Sequence, residues 1–276
     1  MYLRGFGTAT PAARYTKAEC LVAFENSEWF ARLDARSHVI ARTVLQRDNG
    51  IEARRLAVDA LADVFTIDPN TLAQRFLTHA PALAARAGER ALAQAGLAAI
   101  EIDALVVSTC TGYICPGLSG HVVERLGLRA DVQAFDLVGQ GCAAALPNLQ
   151  LGRSLLSSGA AQHVLSVCVE VSSAAMYLDN DPGVLISACL FGDGAGAAVL
   201  SRVPQAGGRD VLLALERRFE VEPQAFRYSS DVLREYGNLS SAFVYFVLEA
   251  ALADDAPDGW WWLSAFGAGF SCTARC

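Results

Sequence analysis

Short apolar runs alternate with longer stretches of helical periodicity along the first 202 residues of the chain. Runs of this length predict strands at residues 1–10, 102–108, 132–138, 163–171 and 190–200. The periodicity predicts helices at residues 16–33, 37–46, 71–95 (restarting at Pro81 and stopping at Gly96), 119–126 (stopping at Gly127) and 142–158. Strands that alternate with helices indicate an α/β fold with a largely parallel sheet.

The pattern changes after Arg202. It predicts a turn-like linker at residues 204–210, a short helix at 211–219, a helical turn that Asp231 caps and Gly237 ends, an apolar helix at 239–253, a polar loop at 254–259, a strand at 260–266 and a tight turn at 266–269. This second part shows about two strands against five in the first part. The sequence therefore predicts two units, residues 1–202 and a shortened unit at residues 203–276.

Composition narrows the class of protein. With 276 residues, 53% hydrophobic and 18% charged, the chain is predicted to be globular with a substantial core. A net charge of −7 without a basic run argues against a nucleic-acid partner. No apolar stretch reaches membrane-spanning length and no signal-peptide layout is present, which favours a cytoplasmic protein. The cysteines show no C-x-x-C pair and the histidines lie far apart, so we expect reduced thiols and no metal site.

Cys142 is the first candidate for chemistry. It follows a predicted strand and a Gly-Gln-Gly bend, and it is predicted to be the first residue of a helix. A thiol at a helix N-terminus ionises more readily, and the thiolate is the nucleophilic form. The alternative is that Cys142 is a small buried hydrophobic residue, as most free cysteines are.

Asn238, in the run YGNLSS, is the second candidate. Its side chain could cap the helix that follows, or its amide could donate a hydrogen bond to a developing oxyanion or enolate. The run GDGAG at residues 192–196 precedes its predicted strand, which makes a dinucleotide loop a weak interpretation. Tight packing of the sheet against a helix explains these glycines better. The sequence contains no G-x-S-x-G elbow and no P-loop.

Four runs together resemble one family of enzymes: GQGCAAALPNL, CLFGDGAGAAVL, REYGNLSSAFV and WWWLSAFGAGF. They resemble the type III polyketide synthases, the chalcone synthase group, and the likeness extends in order from Tyr2 to about Phe270. The resemblance implies a thiolase fold, an αβαβα sandwich of two similar halves, with the first half complete here and the second truncated. It also implies a homodimer that condenses a starter acyl-coenzyme A with malonyl-coenzyme A by decarboxylative Claisen chemistry, with no cofactor.

The resemblance assigns roles to individual residues. Cys142 matches the nucleophile that a starter acylates, and Asn238 matches the asparagine that binds the thioester carbonyl during decarboxylation. The other matched positions are Phe191 between the coenzyme A tunnel and the cavity, Ala175, Ser187 and Ser240 on the cavity wall, and Cys115, whose side chain would cross the dimer interface. Arg54 and Arg55 are weak candidates for the coenzyme A phosphates, because a solvated helix face would explain them equally well.

The catalytic histidine of the family has no counterpart here. The family's His-Pro-Gly-Gly motif is replaced by Gln205-Ala206-Gly207-Gly208, and none of the histidines (His38, His79, His121 and His163) lies in the second unit. Glutamine donates a hydrogen bond but cannot exchange protons near neutral pH, and losing an oxyanion donor typically costs about 10²–10³ in rate. We therefore expect impaired condensation.

Three alternatives to a working polyketide synthase stay open. The chain could be an inactive relic or dimer partner, the gene could encode a further segment near residues 202–208, or the protein could be a condensing enzyme of the ketoacyl synthase III type.

Overall fold

The computed structural model describes residues 1–203, 227–254, 263–267 and 270–274, the last two as backbone only. The predicted linker at 204–210, the helix at 211–219, the residues that replace the family's histidine motif, most of the polar loop at 254–259 and the centre of the turn at 266–269 lie outside the described residues.

The described strands are β1 (Tyr2–Ala9), β2 (Arg14–Thr16), β3 (Ala53–Arg55), β4 (Ala104–Thr109), β5 (Gln133–Val138), β6 (His163–Val171), β7 (Asp193–Ser201), β8 (Leu263–Gly267) and β9 (Phe270–Ala274). The described helices are α1 (Lys17–Glu25), α2 (Glu28–Arg32), α3 (Ala35–Gln46), α4 (Pro69–Ala95), α5 (Leu118–Leu126), α6 (Ala145–Ser158), α7 (Pro182–Leu190), α8 (Arg227–Tyr236) and α9 (Phe243–Ala253). Each of the five strands predicted in the first unit is present.

Those five strands form one sheet in the order β1-β7-β6-β4-β5. β5 and β6 each pair in parallel with β4, whereas β7 is antiparallel to both β6 and β1. Four strands therefore run in one direction and only β7 runs against them, which confirms the predicted α/β fold with a largely parallel sheet. The register places Thr109 opposite Val138, so β4 and β5 end at the same edge of the sheet.

Helices cover both faces of the sheet. Alternate residues of β4 point to opposite sides: Leu105 packs in a core with α4 and α5, whereas Val106 packs in a second core with α6 and α9. A strand buried on both faces needs a continuous apolar sequence, which is why β4 consists of ALVVST rather than an alternating pattern. A third cluster joins α1, α3 and α7 beside the sheet.

The glycines of GDGAG allow close contact between β7 and α9, as predicted. A Cβ atom added at Gly196 would lie 2.3 Å from the Cβ of Tyr245 in α9. Such a separation is far below van der Waals contact, so a side chain at this position would push the helix off the sheet. The glycines of GDGAG therefore allow β7 to pack closely against α9.

Some helix boundaries differ from the prediction. The stretch predicted as one helix at 16–33 is two helices, because Thr16 caps α1 in a capping box with Glu19 and Ser27 caps α2. α4 continues through Pro81, where a restart was expected. The lost backbone hydrogen bond is tolerated because α4 packs along β1, β7 and β6 and Pro81 itself is buried.

Asp231 was predicted to cap a helical turn and does not. It lies inside α8 and pairs with Arg234, three residues further along the helix. The predicted end of that helix at Gly237 is correct, since α8 ends at Tyr236 and Gly237 has a φ of +72°. In the part of the chain that the structure describes, no helix combines the length and hydropathy needed to cross a bilayer.

Candidate active site

Cys142 lies in a short 3-10 turn, Gly141–Ala143, immediately after β5. The prediction that it is the first residue of the helix is wrong, because α6 begins only at Ala145. The cause is local: Gly139 and Gly141 have φ values of +79° and +65°, and this bend lets the chain make a separate turn before the helix. The side chain of Cys142 is half-buried.

Asn238 is held by backbone pairing beside the segment that precedes β7. Its N–H donates to the carbonyl of Leu190 at 3.2 Å, and its own carbonyl accepts from the N–H of Gly192 at 3.0 Å. Its side-chain Oδ1 accepts from the N–H of Ser240 at 2.9 Å. The oxygen of Asn238 therefore caps the turn that follows, while its amide nitrogen makes no hydrogen bond to any other described residue.

The turn Ser240–Ala242 packs against the turn of Cys142. Ser240 has a φ of +53°, a conformation that non-glycine residues rarely adopt and that tends to occur at functional sites. Its hydroxyl lies 3.5 Å from the Cys110 sulfur and contributes to lowering the pKa of the Cys142 thiol. The second unit thereby supplies a polar contact to the candidate nucleophile. Strands β8 and β9 also pack against the turn that contains Cys142.

The surroundings of Cys142 favour its thiolate. A hydrogen bond from the thiol of Cys110 lowers the pKa of Cys142 to about 6, with a further contribution from Ser240 and despite the opposing effect of burial. The pKa of the Cys110 thiol changes in the opposite direction. Its contact with Cys142, its burial and the carboxylate of Glu170 all raise that pKa. Of the two thiols, Cys142 is thus the one whose thiolate form these contacts favour.

Three residues of this cluster were missed by the sequence analysis: Cys110, Glu170 and Ser241. Glu170 is fully buried, and burial raises the pKa of its carboxyl. It accepts hydrogen bonds from the Cys110 N–H at 3.0 Å and from the Ser241 hydroxyl. A glutamate inside the apolar strand HVLSVCVEV was the available signal, because a buried charged side chain requires polar partners.

The remaining predicted residues lie apart from this cluster. Phe191 is half-buried and its backbone bridges to Asn238. Ala175 follows a 3-10 turn, Ser187 lies on α7, and both are exposed. Cys115 is exposed and precedes Pro116 through a cis peptide bond. No hydrogen bond within the described chain connects the last three residues to Cys142, so their roles stay predictions.

Arg54 and Arg55 do not lie on a helix, and the suggestion of a solvated helix face is wrong. Both are in β3. Arg54 is buried and donates to the carbonyls of Ala188 and Phe191, at 2.7 and 3.1 Å. Arg55 pairs with Glu235 at 3.2 Å. Arg54 is thus engaged in fixing the end of α7, and a phosphate would have to compete with Glu235 for Arg55.

The described cysteines are free thiols: Cys20, Cys110, Cys115, Cys142, Cys168 and Cys189. Within the described ranges, no three His, Cys, Asp or Glu side chains are grouped closely enough to hold a metal ion.

Known proteins resemble this chain over most of its length. Residues 8–217 match the family model described as FAE1/Type III polyketide synthase-like protein, and residues 198–271 match the C-terminal domain of chalcone and stilbene synthases. An alpha-pyrone synthesis polyketide synthase-like protein of Mycobacterium tuberculosis is 33% identical over 204 residues, which cover 72% of this chain and 51% of that protein. The chain thus spans about half the length of this curated relative.

A beta-ketoacyl-[acyl-carrier-protein] synthase III of Vibrio vulnificus is 39% identical over 127 residues, 46% of this chain and 33% of that enzyme. Among solved structures, the 1,3,6,8-tetrahydroxynaphthalene synthase of Streptomyces coelicolor A3(2), a bacterial type III polyketide synthase, superposes with a TM-score of 0.81 at 20% identity and covers 99% of this chain and 97% of its own. This superposition confirms the thiolase-like α/β fold. The family match over residues 8–217 shows that the chain belongs to the FAE1/type III polyketide synthase-like family.

Proposed function

We propose that this protein is a condensing acyltransferase that joins a starter acyl-coenzyme A to malonyl-coenzyme A through a thioester on Cys142. One observation carries the proposal: Cys142 is half-buried where a turn of the second unit packs against its own turn, and its contacts there lower the pKa of its thiol to about 6. A half-buried thiolate at neutral pH is the form that attacks a thioester carbonyl.

In the first half-reaction, the Cys142 sulfur attacks the carbonyl carbon of the acyl-coenzyme A and the thiolate of coenzyme A leaves. The hydroxyl of Ser240 and the thiol of Cys110 are the donors that face Cys142. In the second half-reaction, malonyl-coenzyme A loses carbon dioxide, and the resulting enolate carbon attacks the carbonyl carbon of the Cys142 thioester. A carbon–carbon bond forms, the bond from that carbon to sulfur breaks, and the Cys142 thiolate is released. The amide nitrogen of Asn238 is the group we assign to the enolate oxygen.

We expect this second half-reaction to be slow. Glutamine occupies the position of the family's histidine, and it neither carries a positive charge nor exchanges protons near neutral pH. Losing one preorganised oxyanion donor lowers a rate by about 10²–10³. Acylation of Cys142 depends less on that histidine here, because Cys110 and Ser240 already favour the thiolate.

Mass spectrometry separates the two half-reactions. The protein is incubated with an acyl-coenzyme A, and the mass added to the peptide that contains Cys142 is measured; malonyl-coenzyme A is then supplied and released product is sought. Cys142→Ala should abolish labelling, whereas Cys20→Ala, in the separate cluster of α1, α3 and α7, should retain it. Absence of acylation on Cys142 would contradict the proposal. Acylation without product would leave only the first half-reaction.

A relic or dimer partner without activity is the competing function, and the missing histidine favours it. One measurement distinguishes a relic from the proposed enzyme: a relic shows no turnover that depends on Cys142. The stretch of 39% identity to a ketoacyl synthase III favours a third candidate, an enzyme that takes its extender from acyl carrier protein. Supplying malonyl groups on coenzyme A or on acyl carrier protein, in parallel, distinguishes that candidate.

We also propose that the protein is a cytoplasmic homodimer. β5 is an edge strand of the sheet and several of its residues are exposed, so its backbone groups are open to pairing with a second copy. The exposed Cys115 lies on the loop that leaves the neighbouring β4. Free thiols in the described part of the chain support a reducing compartment. Light scattering of the purified protein tests the dimer, and a monomer would contradict it.

A further inference from the structure

We propose that Arg54 is a positioning residue for Asn238, whose amide nitrogen is assigned to the enolate oxygen of malonyl-coenzyme A. This inference rests on the proposed function. Arg54 is given no contact with a substrate. Its guanidinium holds the end of α7, and the backbone of Asn238 is hydrogen-bonded to that same end of α7.

The last turn of α7 has carbonyl groups that need a partner from outside the helix. The Ala188 carbonyl would ordinarily accept the N–H of Gly192, but that N–H donates to the carbonyl of Asn238 at 3.0 Å. Nη1 of Arg54 takes its place and donates to the Ala188 carbonyl at 2.7 Å and to the Phe191 carbonyl at 3.1 Å. The helix dipole also favours a positive charge at this end of α7.

Arg54 and Asn238 hold the same short segment from two sides. The N–H of Asn238 donates to the Leu190 carbonyl at 3.2 Å, which completes the backbone bridge to Phe191. The stem of Arg54 also lies close to Gly237, where an added Cβ would be 3.1 Å from the Arg54 Cγ. Arg54 therefore contacts the Phe191 side of the bridge through Nη1 and the Asn238 side through its stem.

The backbone of Asn238 determines where its side-chain nitrogen can lie. Oδ1 of Asn238 accepts from the N–H of Ser240 at 2.9 Å, which leaves the amide nitrogen as the end available to a ligand. Because the amide is tied to this turn, a shift of the bridge moves the nitrogen with it. Misplacing a reacting group by about 1 Å can lower a rate about 10²-fold.

The surroundings of Arg54 favour a structural partner over a phosphate. Arg54 is 5% exposed, and its Nε makes no hydrogen bond to any described residue. The cavity beside it, whose lining includes Cys20, Phe65 and Cys189, has a volume of about 20 Å³. A cavity of this volume holds about one water molecule. The guanidinium is therefore available to the backbone of α7 and not to coenzyme A.

The first measurement follows the bridge itself, without any substrate. Residue-resolved hydrogen exchange reports on the N–H groups of Gly192 and Asn238. Arg54→Met, which cannot donate, should speed their exchange by about tenfold or more relative to the amides of β4. Arg54→Lys should retain part of the protection, because both bonds come from one nitrogen and a single ammonium group can donate to either carbonyl.

The second measurement compares two reactions of the same variants: acylation of Cys142 by acyl-coenzyme A, and release of carbon dioxide from malonyl-coenzyme A. Of the two, only decarboxylation uses Asn238 in the proposed function. Arg54→Met should therefore lower the kcat of decarboxylation by about tenfold or more and change acylation by less than about twofold. In the Asn238→Ala background, Arg54→Met should lower decarboxylation no further, since it acts through Asn238.

Arg75→Met is the matched control. Arg75 is also a buried arginine that donates to two backbone carbonyls, those of Asp63 and Ser173, and neither carbonyl belongs to the bridge. This variant should leave unchanged both the exchange of the bridge amides relative to β4 and the ratio of decarboxylation to acylation. Circular dichroism confirms that each variant is folded. If Arg54→Met does not fold, Arg54→Lys carries the test, and its decarboxylation should still fall more than its acylation.

Three results would overturn the inference: unchanged exchange of the bridge amides in the folded Arg54 variant, equal losses of decarboxylation and acylation, or no release of carbon dioxide by the unaltered protein. These results are separable from failure of the proposed function. If Cys142 takes no acyl group, the proposed function fails, while hydrogen exchange still decides whether Arg54 holds the bridge. If Cys142 is acylated and Arg54→Met leaves the exchange unchanged, the role of Arg54 fails alone.

Discussion

The backbones of Phe191 and Asn238 form a parallel bridge, although the two residues belong to different units of the sequence. Two hydrogen bonds make this bridge: from Asn238 to the Leu190 carbonyl at 3.2 Å and from Gly192 to the Asn238 carbonyl at 3.0 Å. Ser240, which faces the Cys142 thiol, lies only two residues beyond Asn238. This bridge therefore helps to place Ser240 beside the turn of the candidate nucleophile Cys142.

Gly237→Ala should weaken the bridge and lower the free energy of unfolding. Gly237 has a φ of +72°, and a Cβ added there would lie 2.9 Å from the Leu190 carbonyl oxygen. Gly96 has a similar φ of +64° with no atom within 4 Å, so Gly96→Ala isolates the cost of the backbone conformation. We expect a loss of about 1–2 kcal/mol for Gly96→Ala and a loss larger by at least about 1 kcal/mol for Gly237→Ala, measured by urea denaturation. Equal losses would show that the bridge tolerates a side chain.

Asn148→Ala should destabilise the helix that follows Cys142. The buried amide of Asn148 in α6 donates to the carbonyls of Val106 and Val167, at 3.2 and 3.0 Å, and to the Ser108 hydroxyl at 2.8 Å. Its removal leaves buried acceptors without a partner, which costs about 2–3 kcal/mol in unfolding free energy. Gln150→Ala, an exposed position on the same helix, should change it by less than about 0.5 kcal/mol. Similar effects of the two variants would contradict the anchoring role of Asn148.

Gly196→Ala should be more damaging than Gly194→Ala or Gly120→Ala, because its Cβ would overlap the side chain of Tyr245. We expect a loss of about 3 kcal/mol or more, or failure to fold. Gly194→Ala, whose nearest atom would be 3.3 Å away, should cost less. Gly120→Ala, in α5 with no atom within 4 Å, should be neutral or stabilising by up to about 1 kcal/mol. Thermal denaturation of the three variants gives the order of their stabilities. Any other order would contradict the close packing of β7 on α9.

Acylation of Cys142 should depend on pH with a midpoint near 6. The reactive form is the thiolate, and the lowered pKa keeps that form present down to about pH 6. The initial rate of acylation should therefore rise as pH increases through about 6 and stay level above it. Burial raises the pKa of Cys168 to about 12, so that thiol should remain unlabelled throughout the range and serves as an internal control. A rate that still rises steeply between pH 8 and 9 would mean that Cys142 is an ordinary thiol.

Much of the first unit could be predicted from the sequence because its strands and helices are locally encoded. β4 and β6 are continuous apolar runs, and α4 and α5 end at glycines with positive φ, at Gly96 and Gly127. The errors arose where packing overrides local preference. Pro81 should interrupt a helix, yet α4 continues through it because its length is packed against the sheet.

The candidate site was only partly predictable. Strand, bend and cysteine order indicated Cys142, the Gly-Asn run indicated Asn238, and the resemblance added Ser240. Cys110 could not be distinguished from an ordinary cysteine, because it is the pairing of β4 with β5 that brings it to the sheet edge where the Cys142 turn begins. Glu170 carried a signal, a charge within an apolar strand, but its hydrogen-bond partners come from distant parts of the chain.

By itself, the sequence determined the family, the alternation of strands and helices, and Cys142 as the candidate nucleophile, since each depends on residue types and short-range spacing. Only the tertiary structure decided that the turn after Asn238 meets the turn of Cys142 and that a second thiol and a buried carboxylate stand behind it. The ionisation of a thiol is controlled by the few groups within hydrogen-bonding distance of its sulfur, and it is folding, through contacts between distant segments, that selects those groups.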